Sequence, residues 1–126
     1  MDRISIIGAG AFGFAFAKLI SDNHPERQFF IYDIDGSSID HIHNNRTHPL
    51  FHGDSELKEH VKATNDISHV KDSDLVILAV PSRFVRKALL DLKGNVREDA
   101  IFLSLIKGLE PETNMRPSSI IREVIG

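Results

Sequence analysis

The stretch ISIIGAGAFGFAFAKLI, residues 4–20, decides how the rest of the chain is read. Ile4, Ser5, Ile6 and Ile7 form a short β-branched run that stops at a glycine, and Phe12, Phe16, Leu19 and Ile20 then recur at helical spacing. Between the two lies GAGAFG, residues 8–13, with glycines at 8, 10 and 13. A glycine pattern of this spacing gains meaning from its position between a strand and a helix. Gly8 permits the tight turn. Gly10 lets backbone approach a diphosphate with no Cβ in the way, and Gly13 lets the helix pack closely on the strand. The unpaired N–H groups and positive dipole end of that helix then face an anion. The apolar run behind Arg3 is too short to span a bilayer, and its three glycines argue against a secretory segment.

Outward from this turn the same alternation repeats. Phe29, Phe30, Ile31 and Tyr32 form a second strand ending at Asp33, and Ser38, Ile39, Ile42 and Asn45 suggest a second helix for which Asp35 is a fitting cap. His48 and Pro49 open a polar loop that runs through Gly53 and Asp54. Residues 61–64 read as a short edge strand. The unbroken apolar run LVILAV, residues 75–80, reads as a parallel strand covered on both faces. Residues 82–92 read as a helix, residues 100–106 as another buried strand, and a last helix capped by Ser118 or Ser119 carries Ile120, Ile121, Val124 and Ile125. Strand–helix alternation forces parallel pairing through right-handed crossovers, hence an α/β, doubly wound, mainly parallel sheet of Rossmann type.

Composition agrees with one globular domain. The chain has 126 residues, 41% hydrophobic and 26% charged, which is enough to bury a core. A net charge of -3 gives no basic footprint for nucleic acid or an anionic membrane surface, so neither is expected as a partner. With no cysteine, disulfides, zinc–thiolate sites, iron–sulfur ligation and cysteine nucleophiles are excluded. The same absence fits a reducing compartment, and a cytoplasmic location is expected.

Asp33 stands 20 residues after Gly13, where a carboxylate can accept hydrogen bonds from the ribose hydroxyls of an adenine dinucleotide. It would repel a 2′-phosphate, and no arginine or lysine follows in residues 34–38, so NADH is favoured over NADPH. Other clusters carry less. His41 and His43 are two apart, wrong for one helix face, and with His48, His52 and His60 they read as a solvated loop, with no metal expected. Ser82 lacks a nucleophile elbow and an activating histidine. Arg83, Arg86 and Lys87 read as the solvated side of a helix.

Further segments carry a resemblance. IIGAGAFG (6–13), NNRTHPLFHG (44–53), KATND (62–66), DLVILAVPSRFV (74–85), SLIKGLEPET (104–113) and SSIIREVIG (118–126) appear in the order found in NAD-dependent glycerol-3-phosphate dehydrogenases. The sequence resembles the N-terminal domain of that family from residue 4 to residue 126. The resemblance implies that Gly8, Gly10, Ala11, Phe12 and Gly13 wrap the pyrophosphate, with Phe12 in place of the usual tryptophan. It implies that Ile34 lies beside the adenine, that Phe84 contacts the nicotinamide half, and that Lys107 reaches both cofactor and substrate. Asp33 departs from the arginine-bearing pattern of many bacterial members, which again favours NADH.

The implied activity is hydride transfer between NADH and dihydroxyacetone phosphate or sn-glycerol 3-phosphate. Residues 1–126 would be the NAD-binding domain. The family's helical second domain, with the lysine that acts as general acid or base, is expected to lie outside this chain, leaving no catalytic residue within it. The resemblance also allows a homodimer for the full-length protein. Two alternatives stay open: a nucleotide-sensing regulatory module of the potassium-transport type, and another ketone or hydroxyacid reductase of the same superfamily. The lysine at 107, before Gly108, argues against the sensor, which needs no substrate lysine.

Overall fold

A computed structural model describes residues 2–50 and 55–126. Five strands, β1 (Arg3–Ile7), β2 (Gln28–Tyr32), β3 (Val61–Thr64), β4 (Leu75–Leu78) and β5 (Ile101–Ser104), form one sheet in the order β3-β2-β1-β4-β5. Every neighbouring pair is parallel. The helices are α1 (Ala11–Asn23), α2 (Gly36–Asn45), α3 (Val85–Leu92) and α4 (Pro117–Val124). The chain winds outward from β1 through α1 and α2, returns to the other side of β1 at β4, and winds outward again. This is the doubly wound sheet expected from the sequence, and it brings the carboxyl ends of all five strands to one rim.

The two sheet faces have separate cores because strand residues alternate between them. On one face Ile4, Ile6, Phe29, Ile31 and Ile77 pack under Phe14 and Ala17 of α1 and Ile39 and Ile42 of α2. On the other, Ile7, Val76 and Leu78 pack under Val85, Leu89 and Leu92 of α3 and Ile120 and Val124 of α4. Fully burying a side chain such as Phe14 or Leu89 stabilises the fold by roughly 1.5–3 kcal/mol each. The one hydroxyl inside β1 is also satisfied: Ser5 Oγ and Ser73 Oγ lie 2.6 Å apart, both buried.

Three elements differ from the sequence reading. Strand β5 is not a buried strand but an edge of the sheet, with Ile101 and Leu103 52% and 40% exposed. Those two residues are in register with Leu75 and Ile77, on the face that α1 covers only as far as β4. The helix expected over residues 82–92 begins as a single tight turn, Ser82–Phe84, before α3 proper. Helix α4 is preceded by Arg116 with Pro117 at its first position, so Ser118 and Ser119 lie inside it rather than capping it. Proline's fixed φ and missing N–H suit the first helical position, which moves the start ahead of both serines. Asp35 does cap α2, its carboxylate accepting from Ser37 N at 3.1 Å and Ser38 N at 3.4 Å.

Candidate functional site

The glycine turn joins the carboxyl end of β1 to the start of α1, and each glycine meets a different constraint. Gly8 has φ of 115°, a conformation L side chains rarely adopt, and a Cβ there would lie 2.8 Å from the Ala79 carbonyl oxygen. A Cβ on Gly13 would fall 2.0 Å from Gly8 O, because the first turn of α1 rests directly on the end of β1. Gly10, at the N-cap of α1, is different: nothing lies within 4 Å of the place a Cβ would take. Gly8 and Gly13 are therefore demanded by the fold, whereas Gly10 leaves open space over the helix N-terminus. The first-turn N–H groups of α1 have no acceptor within the helix itself, and its positive dipole end lies at Gly10.

Beside the turn is a cavity of about 320 Å³, lined by Ile7, Gly8, Tyr32, Asp33, Ile34, Val80, Pro81, Phe84, Lys87, Ala88 and Asp91. It sits where the chain reverses direction across the sheet, between the ends of β2 and β4 with β1 between them. Burial, followed by the charge of Asp91, raises the Tyr32 phenol above its ordinary range. Ile34 is 67% exposed and Phe84 48% exposed, so both offer apolar surface to a planar ligand. Arg83 stacks on Phe84, its guanidinium carbon 4.7 Å from the ring centroid. Lys87 is held by Asp91 at 3.1 Å.

Asp33 follows the last residue of β2 and is half-buried. Its Oδ2 accepts from Ala9 N at 2.8 Å and its Oδ1 from Asp35 N at 3.0 Å, so it braces the glycine turn against the β2–α2 turn. Each oxygen keeps a further lone pair for a ligand hydroxyl. Phe12 is exposed and stacks on Phe16 one turn along, with ring centroids 6.4 Å apart.

The placement brings Gly8, Gly10, Ala11, Phe12, Gly13, Asp33 and Ile34 together. It puts Phe84 on the same cavity as Ile34 and Asp33. Lys107 stands apart from this cavity, exposed, in the loop that leaves β5 on the same rim. That loop is anchored from beneath. Arg86 bridges Glu110 and Glu123, and the carboxyl of Glu110 is pulled below its ordinary range by Arg86 first and by the Thr113 hydroxyl next. Arg86 is thus a fixed ion-pair centre and not a solvated cation.

The histidine reading also needs correction. His48 is buried, not solvated; its Nε2 lies 2.8 Å from Ala9 O, and Phe14 meets its ring edge-on at 5.6 Å. His60 Nε2 lies 2.7 Å from Ser21 O. His52, Gly53 and Asp54 fall outside the described residues. In the sequence His48 stands within the NNRTHPLFHG segment with no role of its own assigned to it, because its partner is a backbone carbonyl 39 residues away.

Over residues 3–126 the chain matches the family described as NAD-dependent glycerol-3-phosphate dehydrogenase N-terminus. It is 36% identical over 124 residues to the glycerol-3-phosphate dehydrogenase (NAD(P)+) of Onion yellows phytoplasma, covering 98% of this chain and 36% of that protein. To the enzyme of the same name from Acholeplasma laidlawii it is 35% identical, covering 98% and 36%. The chain therefore spans a little over a third of the length of the curated relatives it matches. Among solved structures, glycerol-3-phosphate dehydrogenase from Coxiella burnetii superposes with a TM-score of 0.91 at 17% identity, covering 99% of this chain and 38% of that one. The enzyme from Saccharomyces cerevisiae gives 0.84 at 23% identity, covering 99% and 39%. At these identities the structural likeness speaks to the fold.

Proposed function

The chain belongs to the family of NAD-dependent glycerol-3-phosphate dehydrogenase N-terminal domains, and on that premise we propose that residues 1–126 are the cofactor-binding domain of an oxidoreductase. That enzyme interconverts dihydroxyacetone phosphate and sn-glycerol 3-phosphate. The observation that carries the reading is the contrast among the three glycines: two are required by packing, while the third keeps a helix N-terminus open. The residues fit a dinucleotide. The open space at Gly10 admits a diphosphate, and the adjoining cavity of about 320 Å³ has apolar walls and the Asp33 carboxylate, which suit adenosine; its second carboxylate, Asp91, is paired with Lys87.

In this reading the backbone of residues 8–13 and the dipole of α1 hold the pyrophosphate. Asp33 takes the ribose hydroxyls and disfavours a 2′-phosphate, which selects NAD. Ile34 and Phe84 flank the adenine. When bound, the nicotinamide supplies or receives the hydride exchanged with the substrate. Lys107, at the carboxyl end of β5, neutralises and orients an oxygen of the phosphorylated substrate. Its ammonium is a point charge on a flexible stem, suited to reaching from the rim. The proton donor and the contacts to the substrate phosphate come from a helical domain outside these residues, so the domain alone binds cofactor without turnover. A cytoplasmic location and a homodimer of the longer protein belong to the same proposal.

Family membership weighs against a regulatory nucleotide sensor. No described helix is long and apolar enough to cross a membrane. Calorimetry with NADH and NADPH tests the reading: NADH should bind the more tightly, and a chain that binds neither would overturn it.

A further inference from the structure

Ala9 lies between the first two glycines of the turn and is 3% exposed. Both polar groups of its backbone are held by side chains from other segments. Its N–H donates to Asp33 Oδ2 at 2.8 Å, and its carbonyl faces His48 Nε2, also at 2.8 Å. The hydrogen on the imidazole is assigned by its other nitrogen. Leu50 N–H donates to His48 Nδ1 at 3.0 Å, so Nδ1 accepts and Nε2 carries the proton given to Ala9 O. Phe14 packs edge-on against the ring and fixes its plane.

This grip has a directional consequence. All peptide bonds of the described chain are trans, and in a trans peptide the C=O and N–H vectors point in opposite directions. The Ala9–Gly10 peptide turns its oxygen toward His48, so the Gly10 N–H is aimed away from the ring. On the preceding peptide, Asp33 fixes the Ala9 N–H, and Gly8 O is directed to the underside of Gly13. Two successive peptide planes are therefore locked before any ligand arrives. Gly10 itself is exposed, with open space beside its Cα.

We propose that His48 is a positioning residue for cofactor binding: by holding the Ala9 carbonyl it presents the Gly10 N–H to the pyrophosphate alongside the first-turn amides of α1. The inference rests on the reading of residues 8–13 as the diphosphate turn. It adds a determinant from the loop after α2. Preorganised donors bind an anion without the cost of ordering the loop on binding, and that saving is what His48 contributes.

A purely structural histidine would affect every ligand alike, so the test compares ligands. His48→Phe keeps an aromatic ring against Phe14 and removes the donor, whereas His48→Gln keeps an N–H donor at similar reach. Titrations of ADP, NADH and adenosine into the chain are followed by amide chemical shifts. His48→Phe should weaken ADP and NADH by at least about tenfold, equivalent to about 1.4 kcal/mol, and leave adenosine within about twofold. His48→Gln should recover most of the loss. Equal weakening of all three ligands, or none, would overturn the proposal. Should His48→Phe fail to fold, the unmodified chain still decides: ADP must shift the Gly10 amide strongly, and an unmoved Gly10 amide beside shifted α1 amides would overturn it. If the unmodified chain binds neither ADP nor NADH, the reading of the turn itself has failed, a separate outcome.

Discussion

Arg86 and Glu110 meet face to face in a two-point ion pair, Nε to Oε2 at 2.9 Å and Nη2 to Oε1 at 3.0 Å, across 24 residues of sequence. A planar guanidinium matched to a carboxylate fixes orientation as well as distance. The pair ties the loop after β5 to α3, and with it the segment that carries Lys107. Because Glu110 is held below its ordinary carboxyl pKa of 4.5 when folded, the unfolded chain binds more protons over the interval between the two values. The contribution to stability is therefore complete above the ordinary value and is lost as pH falls through the folded one. Glu110→Gln should lower the melting temperature at pH 7. The gap from the parent chain should close as the pH is taken well below 4.5, followed by circular dichroism. A gap that is the same at pH 7 and at pH 3 would be contrary to this account.

The glycines should separate by phenotype. Gly10→Val should leave the circular dichroism spectrum near that of the parent and abolish measurable NADH binding, because the branched side chain fills open space needed by the ligand. Gly13→Ala should instead damage the fold, since its methyl would press on Gly8 O. Overpacking of this kind costs about 1–3 kcal/mol or more. Thermal melts and calorimetry on both variants check the contrast, and normal NADH binding by a folded Gly10→Val would refute the turn assignment.

Asp33→Ala removes two roles together, the ribose acceptor and the brace on Ala9 N. NADH affinity should fall by about 1.5–3 kcal/mol, the worth of hydrogen bonds to a charged group. The preference over NADPH should narrow, since the charge that repels a 2′-phosphate is gone. Calorimetry with both cofactors reads the two effects. An unchanged ratio of affinities would mean that another residue sets the preference.

Lys107→Ala, made in the longer enzyme, should lower kcat/KM for dihydroxyacetone phosphate by at least about tenfold, or about 1.4 kcal/mol of transition-state stabilisation. Lys107→Met should behave similarly, keeping the stem and losing the charge. Stability should barely move, because this lysine is exposed beyond the end of β5. Steady-state kinetics decide the matter: full efficiency in both variants would make Lys107 an ordinary solvated lysine.

The elements that were legible in the sequence are those whose constraint is local. Gly8 and Gly13 advertise a steric demand made by the turn they belong to, and Asp35 caps residues two and three positions on. What the sequence hid is set by distant partners. His48 sits in a polar stretch with no period, and only the folded chain brings it to Ala9. Arg86 lies on the polar stripe of α3, where periodicity cannot tell a solvated cation from one matched to Glu110. Residues 101–104 are apolar enough for a central strand, but their place at the sheet edge follows from the order of pairing.

The strand order also sets a schedule for the newborn chain. Strand β1 is the first to be synthesised and ends up in the middle of the sheet, with β2 on one side and β4 on the other. Ile4 pairs with Phe29 and with Leu75, so its second neighbour is made long after its first. At roughly 5–20 residues per second of synthesis the wait is roughly 2–9 s. Throughout that interval β1 and β2 present an uncovered edge, and Asp74, which later accepts from the N–H groups of Asp2 and Arg3, is still missing. Removing the first few residues would therefore strike twice: early, where Asp2 O and Arg3 meet Gln28, and late, where Asp74 closes the sheet's centre on the N–H groups of Asp2 and Arg3.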